Sequence, residues 1–178
     1  MEMEKKYTIR RLPDDLEQYE KKEIEQGYLC VNPVVRIRKS NDRYILTYKS
    51  REGIKDPGNC HVRVCREEEM PLTKEGYEHL REKIDGNLIA KTRYLIPLDA
   101  GEALPGYART QEVSLKIELD VFHGVLEGLV FAEVEFPDLA AADCFVMPDW
   151  FLQDVSMDNH YSNNYLAFVD QWEGQFFD

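Results

Sequence analysis

The residues able to do chemistry in this chain come in pairs separated by one position. Acids recur as Glu2-x-Glu4, Glu67-x-Glu69, Glu118-x-Asp120 and Glu133-x-Glu135. Bases recur as Arg36-x-Arg38 and Lys91-x-Arg93, with Lys6, Lys49, Arg63 and Lys116 in similarly patterned segments. These positions carry eight acids and eight bases, so the rest of the chain holds the whole net charge of −12. On a strand, residues i and i+2 project to the same side about 6.8 Å apart. Two carboxylates so placed can converge on one hard cation, and two guanidinium or ammonium groups can straddle neighbouring phosphates. A small divalent cation such as Mg²⁺ typically takes one or two carboxylates together with substrate phosphates. Acid pairs and base pairs inside one cavity therefore fit a metal-bound oligophosphate. A lone anion would be repelled by the acids, and a lone metal would leave the bases without a role.

The elements that must carry these pairs are mostly strands. In residues 114–121, SLKIELDV, Leu115, Ile117, Leu119 and Val121 alternate with Lys116, Glu118 and Asp120, which is the period of a strand with one buried face. The same alternation runs through MEMEKKYTI, VVRIRKS, RYILTYKS, HVRVCREEEM, AKTRYLI and VFAEVEF. Helices are expected from about Asp14 to Glu25, ended near Gly27, and from Thr73, a suitable N-cap, to Ile84. Short helices are expected at Pro137–Ala142 and from Ser162 to about Val169. Prolines 33, 57, 71, 97, 105 and 148 fall between the patterned segments, as turn punctuation. Eight or so antiparallel strands with a few short helices give an α+β fold, a closed barrel or strongly curved sheet. Tyr94, Phe122, Phe131 and Phe136 are expected to pack outside that sheet, under the helices.

Composition narrows the class. With 178 residues, 43% hydrophobic and 31% charged, the chain is long enough for one domain with a real core, residues 1–178. The acidic balance argues against a nucleic-acid partner, which calls for a basic footprint. No apolar run approaches the roughly 20 residues of a membrane helix, and the N-terminus has no apolar signal region. Cys30, Cys60, Cys65 and Cys144 form no CxxC, which suits a reduced, cytoplasmic setting. Cys60, His61 and Cys65 lack a second ligand pair for zinc. His61, His79, His123 and His160 are scattered and read as structural or solvent residues.

The opening Glu2-x-Glu4-x-Lys6 resembles the E-x-E-x-K signature of the CYTH superfamily, the triphosphate tunnel metalloenzymes. The order that follows is also similar to the bacterial short form: EQGYL (25–29), Arg36-x-Arg38, LTYK (46–49), EEEMPLT (67–73), KTRY (91–94), Glu118-x-Asp120-VF, AEVEF (132–136), and a closing set of Trp150, Asp154, Val155, Tyr161, Asn163, Leu166 and Ala167. The resemblance spans essentially the whole chain. It implies a closed eight-stranded antiparallel β-barrel, a tunnel with charged walls, and divalent-metal-dependent chemistry on a triphosphate, with Mg²⁺ or Mn²⁺ as cofactor. Relatives often have an arginine where Cys65 stands, and Arg63 is the candidate to compensate. The accessory helical domain that follows the tunnel in some relatives is not found.

On that resemblance Glu2, Glu4, Glu67, Glu69, Glu118, Asp120, Glu133 and Glu135 are the candidate metal ligands. Lys6, Arg36, Arg38, Lys49, Arg63, Lys91, Arg93 and Lys116 are the candidate phosphate ligands. The expected reaction is in-line attack of water on a terminal phosphoryl group, with basic side chains stabilising the leaving diphosphate. The general base is Lys91, its pKa lowered by neighbouring arginines and Tyr28 its hydrogen-bond partner, or else a carboxylate of Glu2 or Glu4. Inorganic tripolyphosphate is the first substrate reading. A class IV adenylyl cyclase, a thiamine triphosphatase and a non-catalytic nucleotide or polyphosphate binder are the alternatives. The oligomeric state is not deducible.

Overall fold

The computed structural model describes residues 2–53, 63–108 and 114–173. Expectations on Pro57, Cys60 and His61 lie outside them, as do those on the side chains of Glu2 and Arg63. Among the described residues nine strands form one antiparallel sheet: β1 (Glu2–Ile9), β2 (Glu20–Val31), β3 (Val34–Ser40), β4 (Arg43–Ser50), β5 (Arg63–Pro71), β6 (Asp85–Leu98), β7 (Leu115–His123), β8 (Val130–Glu135) and β9 (Phe151–Asp154). The order is β5-β4-β3-β2-β6-β7-β8-β1-β9. The helices are short: α1 (Lys74–Arg81), α2 (Ala100–Ala103), α3 (Leu139–Cys144) and α4 (Asn163–Leu166). This is the α+β class expected, with one strand more than the eight foreseen. Strand β1 also meets β5, but only through Glu2, Met3 and Glu4 opposite Cys65, Val64 and Arg63. The sheet is thus strongly curled with a short seam, rather than the uniformly closed eight-stranded barrel expected. The reason lies in β1, whose later residues turn from β5 to β9: Tyr7 stands opposite Asp154 and Thr8 opposite Gln153.

The helix expected over Asp14–Glu25 is absent. Leu16–Gln18 form a single 3-10 turn, and the chain is already in β2 at Glu20. The charged residues of this segment favour a helix intrinsically, but they offer no stripe at i, i+3, i+4 to bury. Ile24, Gln26 and Tyr28 alternate at period two instead, all buried, and β2 pairs on both sides, with β3 and β6. Tertiary pairing overrides local propensity here. The second helix forms as expected, though shorter: Thr73 Oγ1 accepts from the Gly76 amide at 3.0 Å as its N-cap. Pro97 lies inside β6 rather than between elements. Gly86, the second residue of β6, has φ +70°, and a Cβ there would sit 2.4 Å from the Ala167 carbonyl oxygen. That close approach fixes the segment after α4 against the sheet, where the Asn87 amide donates to the same carbonyl.

Two apolar bodies hold the sheet. The outer one joins Tyr7, Ile96, Ile117, Leu119, Ala132 and Val134 to α2, α3 and the Trp150–Phe151 corner. Each fully buried aliphatic side chain here contributes roughly 1.5–3 kcal/mol. The inner one contains Tyr28, Ile89, Phe122, Leu126, Leu129, Phe131, Leu166 and Ala167. Phe122 and Phe131 were expected outside and are not. Phe122 follows Glu118 and Asp120 at period two, and Phe131 precedes Glu133 and Glu135 in the same way, so strand geometry puts them on the charged face. They form an apolar floor beneath it. Among the described residues no helix is long and apolar enough to cross a membrane.

Candidate active site

Above that floor the paired acids and bases do meet. Strand register sets them in rows: Arg93 opposite Asp120, Glu118 opposite Glu133, Lys6 opposite Glu133 and Glu4 opposite Glu135, and Lys49 opposite Glu67. A cavity of about 490 Å³ is lined by Glu4, Arg36, Arg38, Lys49, Glu67, Glu69, Arg93, Glu118, Glu133 and Glu135, with Asn163 from α4. A second cavity of about 450 Å³ shares Glu4, Arg36, Lys49 and Asn163 with it, and adds Lys6, Tyr28 and Cys65.

One half of the charged belt is neutralised internally. Arg93 bonds three acids: Nε donates to Asp120 at 2.6 Å, Nη2 to Glu133 at 2.6 Å, and Nη1 to Glu118. Lys6 Nζ pairs with Glu133 at 2.9 Å. Lys116 reaches Glu118 at 3.0 Å from a half-exposed position at the rim. Burial alone would suppress the charges of Arg93 and Glu133. Instead Asp120, Glu133 and Glu118 hold Arg93 well above its ordinary value, and Lys6, Arg93 and Lys91 hold Glu133 well below its own. Across the cavity, Glu67 pairs with Lys49 at 3.1 Å and Arg36 at 3.4 Å.

The remaining charges are not matched. Among the described residues, Arg38, Glu4, Glu69 and Glu135 make no ion pair. Arg38 has a buried Nε without a partner, and burial, with Arg36 and Arg93 nearby, pushes its pKa down to about 10. That is the state of a guanidinium short of anions. Glu135 shows the opposite deficit. Burial and the charges of Glu118 and Glu4 push its carboxyl above the ordinary range, against Lys116 and Arg93. Among the described residues no three His, Cys, Asp or Glu side chains converge into a ready-made metal site. Two facing carboxylates with unrelieved repulsion nevertheless fit a hard cation that completes its shell with substrate oxygens and water. Of the candidate metal ligands, Glu133, Glu118 and Asp120 are committed to bases, Glu67 is paired, and Glu69, like Glu135, is exposed at the cavity wall.

Lys91 is placed differently from the sequence reading. Its Nζ donates to Asp120, lies 5.2 Å from the Phe122 ring centroid, and its side chain is wholly buried. It lines neither cavity. Tyr28 is not its partner: the Tyr28 hydroxyl accepts from Gln26 Nε2 at 3.3 Å, and burial raises its pKa against Arg36, Arg38 and Lys49. Burial pushes Lys91 down to about 8, with Asp120 opposing the shift and Arg93 and Arg38 reinforcing it. The lowering was expected, but desolvation on the apolar floor leads it, ahead of like charge. Linkage gives this a sign. Below about pH 8 Lys91 is charged folded and unfolded, and its burial costs stability. The cost is relieved as pH rises from about 8 toward the ordinary 10.5. Wild type should therefore gain stability relative to Lys91→Met between pH 7.5 and about 10, read as the difference in melting temperature; a constant difference would exclude this burial.

Sequence reasoning missed Gln26. It lies on β2 opposite Arg38 and is fully buried. Its period-two relation to Ile24 and Tyr28 was the available signal, hidden by reading the preceding segment as a helix. Asn163 was noted only as part of a closing motif, yet it lines both cavities with a buried Oδ1 that has no partner.

The chain is 30% identical over 169 residues to an inorganic triphosphatase of Nitrosomonas europaea, covering 93% of this chain and 96% of that one. It is 34% identical over 147 residues to an inorganic triphosphatase of Acetivibrio thermocellus, covering 80% and 78%. Its fold matches the crystal structure of the inorganic triphosphatase NE1496 with a TM-score of 0.65 at 28% identity, over 97% of both chains. A conserved hypothetical protein of Pyrococcus furiosus shares the fold, with a TM-score of 0.52 at 19% identity over 81% of this chain and 83% of that one. No family model matches. With a relative at this identity over nearly its full length, and the acid and base pairs gathered on one inner face, the chain belongs to the CYTH-type inorganic triphosphatases.

Proposed function

We propose that the chain hydrolyses inorganic tripolyphosphate to diphosphate and phosphate, with Mg²⁺ or Mn²⁺, and that the curled sheet works as an eight-stranded tunnel with β9 as an outer strap. The observation that carries this reading is the mismatch inside one cavity: an arginine on β3 with a buried, unpartnered Nε, facing a wall of acids of which Glu4, Glu69 and Glu135 have no base among the described residues. A polyanion accompanied by a divalent cation would satisfy both deficits.

Each residue then has a defined task. Arg38, Arg36 and Lys49 bind phosphate oxygens and stabilise negative charge developing on the leaving diphosphate. Glu4 and Glu135 would hold the cation, which when bound supplies Lewis acidity to in-line phosphoryl transfer. Water attacks the terminal phosphorus, and the bond from that phosphorus to the bridging oxygen breaks. The water proton passes to Glu4, the most enclosed of the three unpaired carboxylates. Lys91 and Arg93 act by fixing Asp120, Glu118 and Glu133, not by touching substrate protons.

The test is phosphate release from tripolyphosphate, diphosphate and p-nitrophenyl phosphate under the same divalent cation. Tripolyphosphate is expected to be strongly preferred. Equal turnover of diphosphate or the monoester would overturn the reading, since a row of bases on β3 and β4 would then not be measuring chain length. Arg38→Ala should cost roughly 10- to 100-fold in kcat/KM, the scale of losing one charge-assisted contact of ~1.5–3 kcal/mol. An unchanged kcat/KM would remove Arg38 from the site.

A further inference from the structure

The geometry points to Gln26 as the positioning residue of Arg38, holding its guanidinium by a neutral acceptor so that its charge stays available to phosphate; this rests on the reading of Arg38 as a phosphate ligand. Gln26 lies directly opposite Arg38 on the neighbouring strand. Its side chain has no exposure to solvent. The amide nitrogen is spent on the Tyr28 hydroxyl at 3.3 Å, which leaves Oε1 as the free end of the group. That oxygen is a buried acceptor without a partner, and Arg38 Nε is a buried donor without a partner. Two complementary unsatisfied groups on register-paired residues are costly to keep apart. Side-chain rotation joins them when phosphate draws the guanidinium Nη atoms into the cavity.

The choice of a neutral residue matters. Arg93, on the other side of β2, is surrounded by Asp120, Glu118 and Glu133, and its charge is consumed by them. A carboxylate at position 26 would do the same to Arg38. Glutamine offers the acceptor geometry without the charge.

The experiment is a double-mutant cycle on tripolyphosphate hydrolysis, using Gln26→Met and Arg38→Ala. Gln26→Met keeps the length of the side chain and removes the acceptor, together with the long donor contact to the Tyr28 hydroxyl. It should raise KM about 10-fold, the scale of one hydrogen bond to a charged group, with kcat within about twofold and no loss in melting temperature. In the Arg38→Ala background the same substitution should change nothing further. Equal multiplicative effects in both backgrounds would overturn the inference, because Gln26 would then act through packing. An unchanged KM in Gln26→Met would overturn it too. If Gln26→Met does not fold, Gln26→Glu takes its place. That variant should raise KM by neutralising Arg38 in an otherwise wild-type chain and have no effect on KM once Arg38 is alanine; any other pattern overturns the inference. The functional reading fails separately, and visibly, if Arg38→Ala alone leaves KM and kcat as in wild type.

Discussion

Phosphate release from tripolyphosphate is expected to stop in excess EDTA and to return when Mg²⁺ or Mn²⁺ is restored above the chelator. The physical reason is the state of the acidic wall. Glu4 and Glu135 face each other across β1 and β8. Burial, Glu118 and Glu4 make the Glu135 carboxyl harder to ionise. A triphosphate brought into the same cavity adds several more negative charges. Arg38, Arg36 and Lys49 cannot offset these alone, because Arg36 and Lys49 already pair with Glu67. Without a divalent cation the substrate end nearest Glu135 meets net repulsion. Calorimetric titration of tripolyphosphate with and without Mg²⁺ measures the same coupling at the binding step, and affinity should rise with the cation. Full turnover in chelator would refute a role for the acidic wall in holding metal. The raised Glu135 also sets a direction for pH: cation affinity should weaken as pH falls and Glu135 takes up its proton ahead of an ordinary glutamate.

Glu4→Gln and Glu135→Gln should each lower kcat about 10²-fold or more, the scale of removing one preorganised electrostatic group from a transition state. Neither change should damage the fold, because neither carboxylate makes an ion pair among the described residues and glutamine preserves the volume. The contrast is Glu133→Gln. That carboxylate neutralises Lys6 and Arg93, so its loss leaves buried bases uncompensated and should lower the melting temperature as well as the rate. Measuring kcat and melting temperature for the three variants separates acids that serve the substrate from acids that serve the protein. A Glu4→Gln enzyme with wild-type kcat would remove Glu4 as the proton acceptor. Equal thermal destabilisation by all three substitutions would contradict the division between paired and unpaired acids.

The paired spacing of acids and bases was sufficient to place them on strands, since i and i+2 share a side whatever the partner strand. It was also sufficient to collect them: Arg36, Arg38, Lys49, Glu4, Glu118, Glu133 and Glu135 all line one cavity. The family followed from the order of those pairs along the chain. Parity could have said more than was taken from it. Phe122 and Phe131 share the face of Asp120 and Glu133 by simple counting, and they form the floor that desolvates Lys91.

Tertiary structure alone decided which charges cancel. Lys91-x-Arg93 and Arg36-x-Arg38 look alike as text, yet the first lies beside β7 and its acids, while Arg38 lies beside Gln26 and Ile45. Strand order, not local sequence, chooses those neighbours. Coulomb interactions and desolvation depend on what lies within a few ångströms across strands, and the β2 pairing that sets this also overrode a helix-favouring segment. The sequence by itself determined the inventory of the site and the face that bears it. Only the fold divided that inventory into ion pairs that hold the sheet and the unpaired groups, Arg38, Glu4, Glu69 and Glu135, that are left for a ligand, because pairing is a property of distance in three dimensions and not of spacing along the chain.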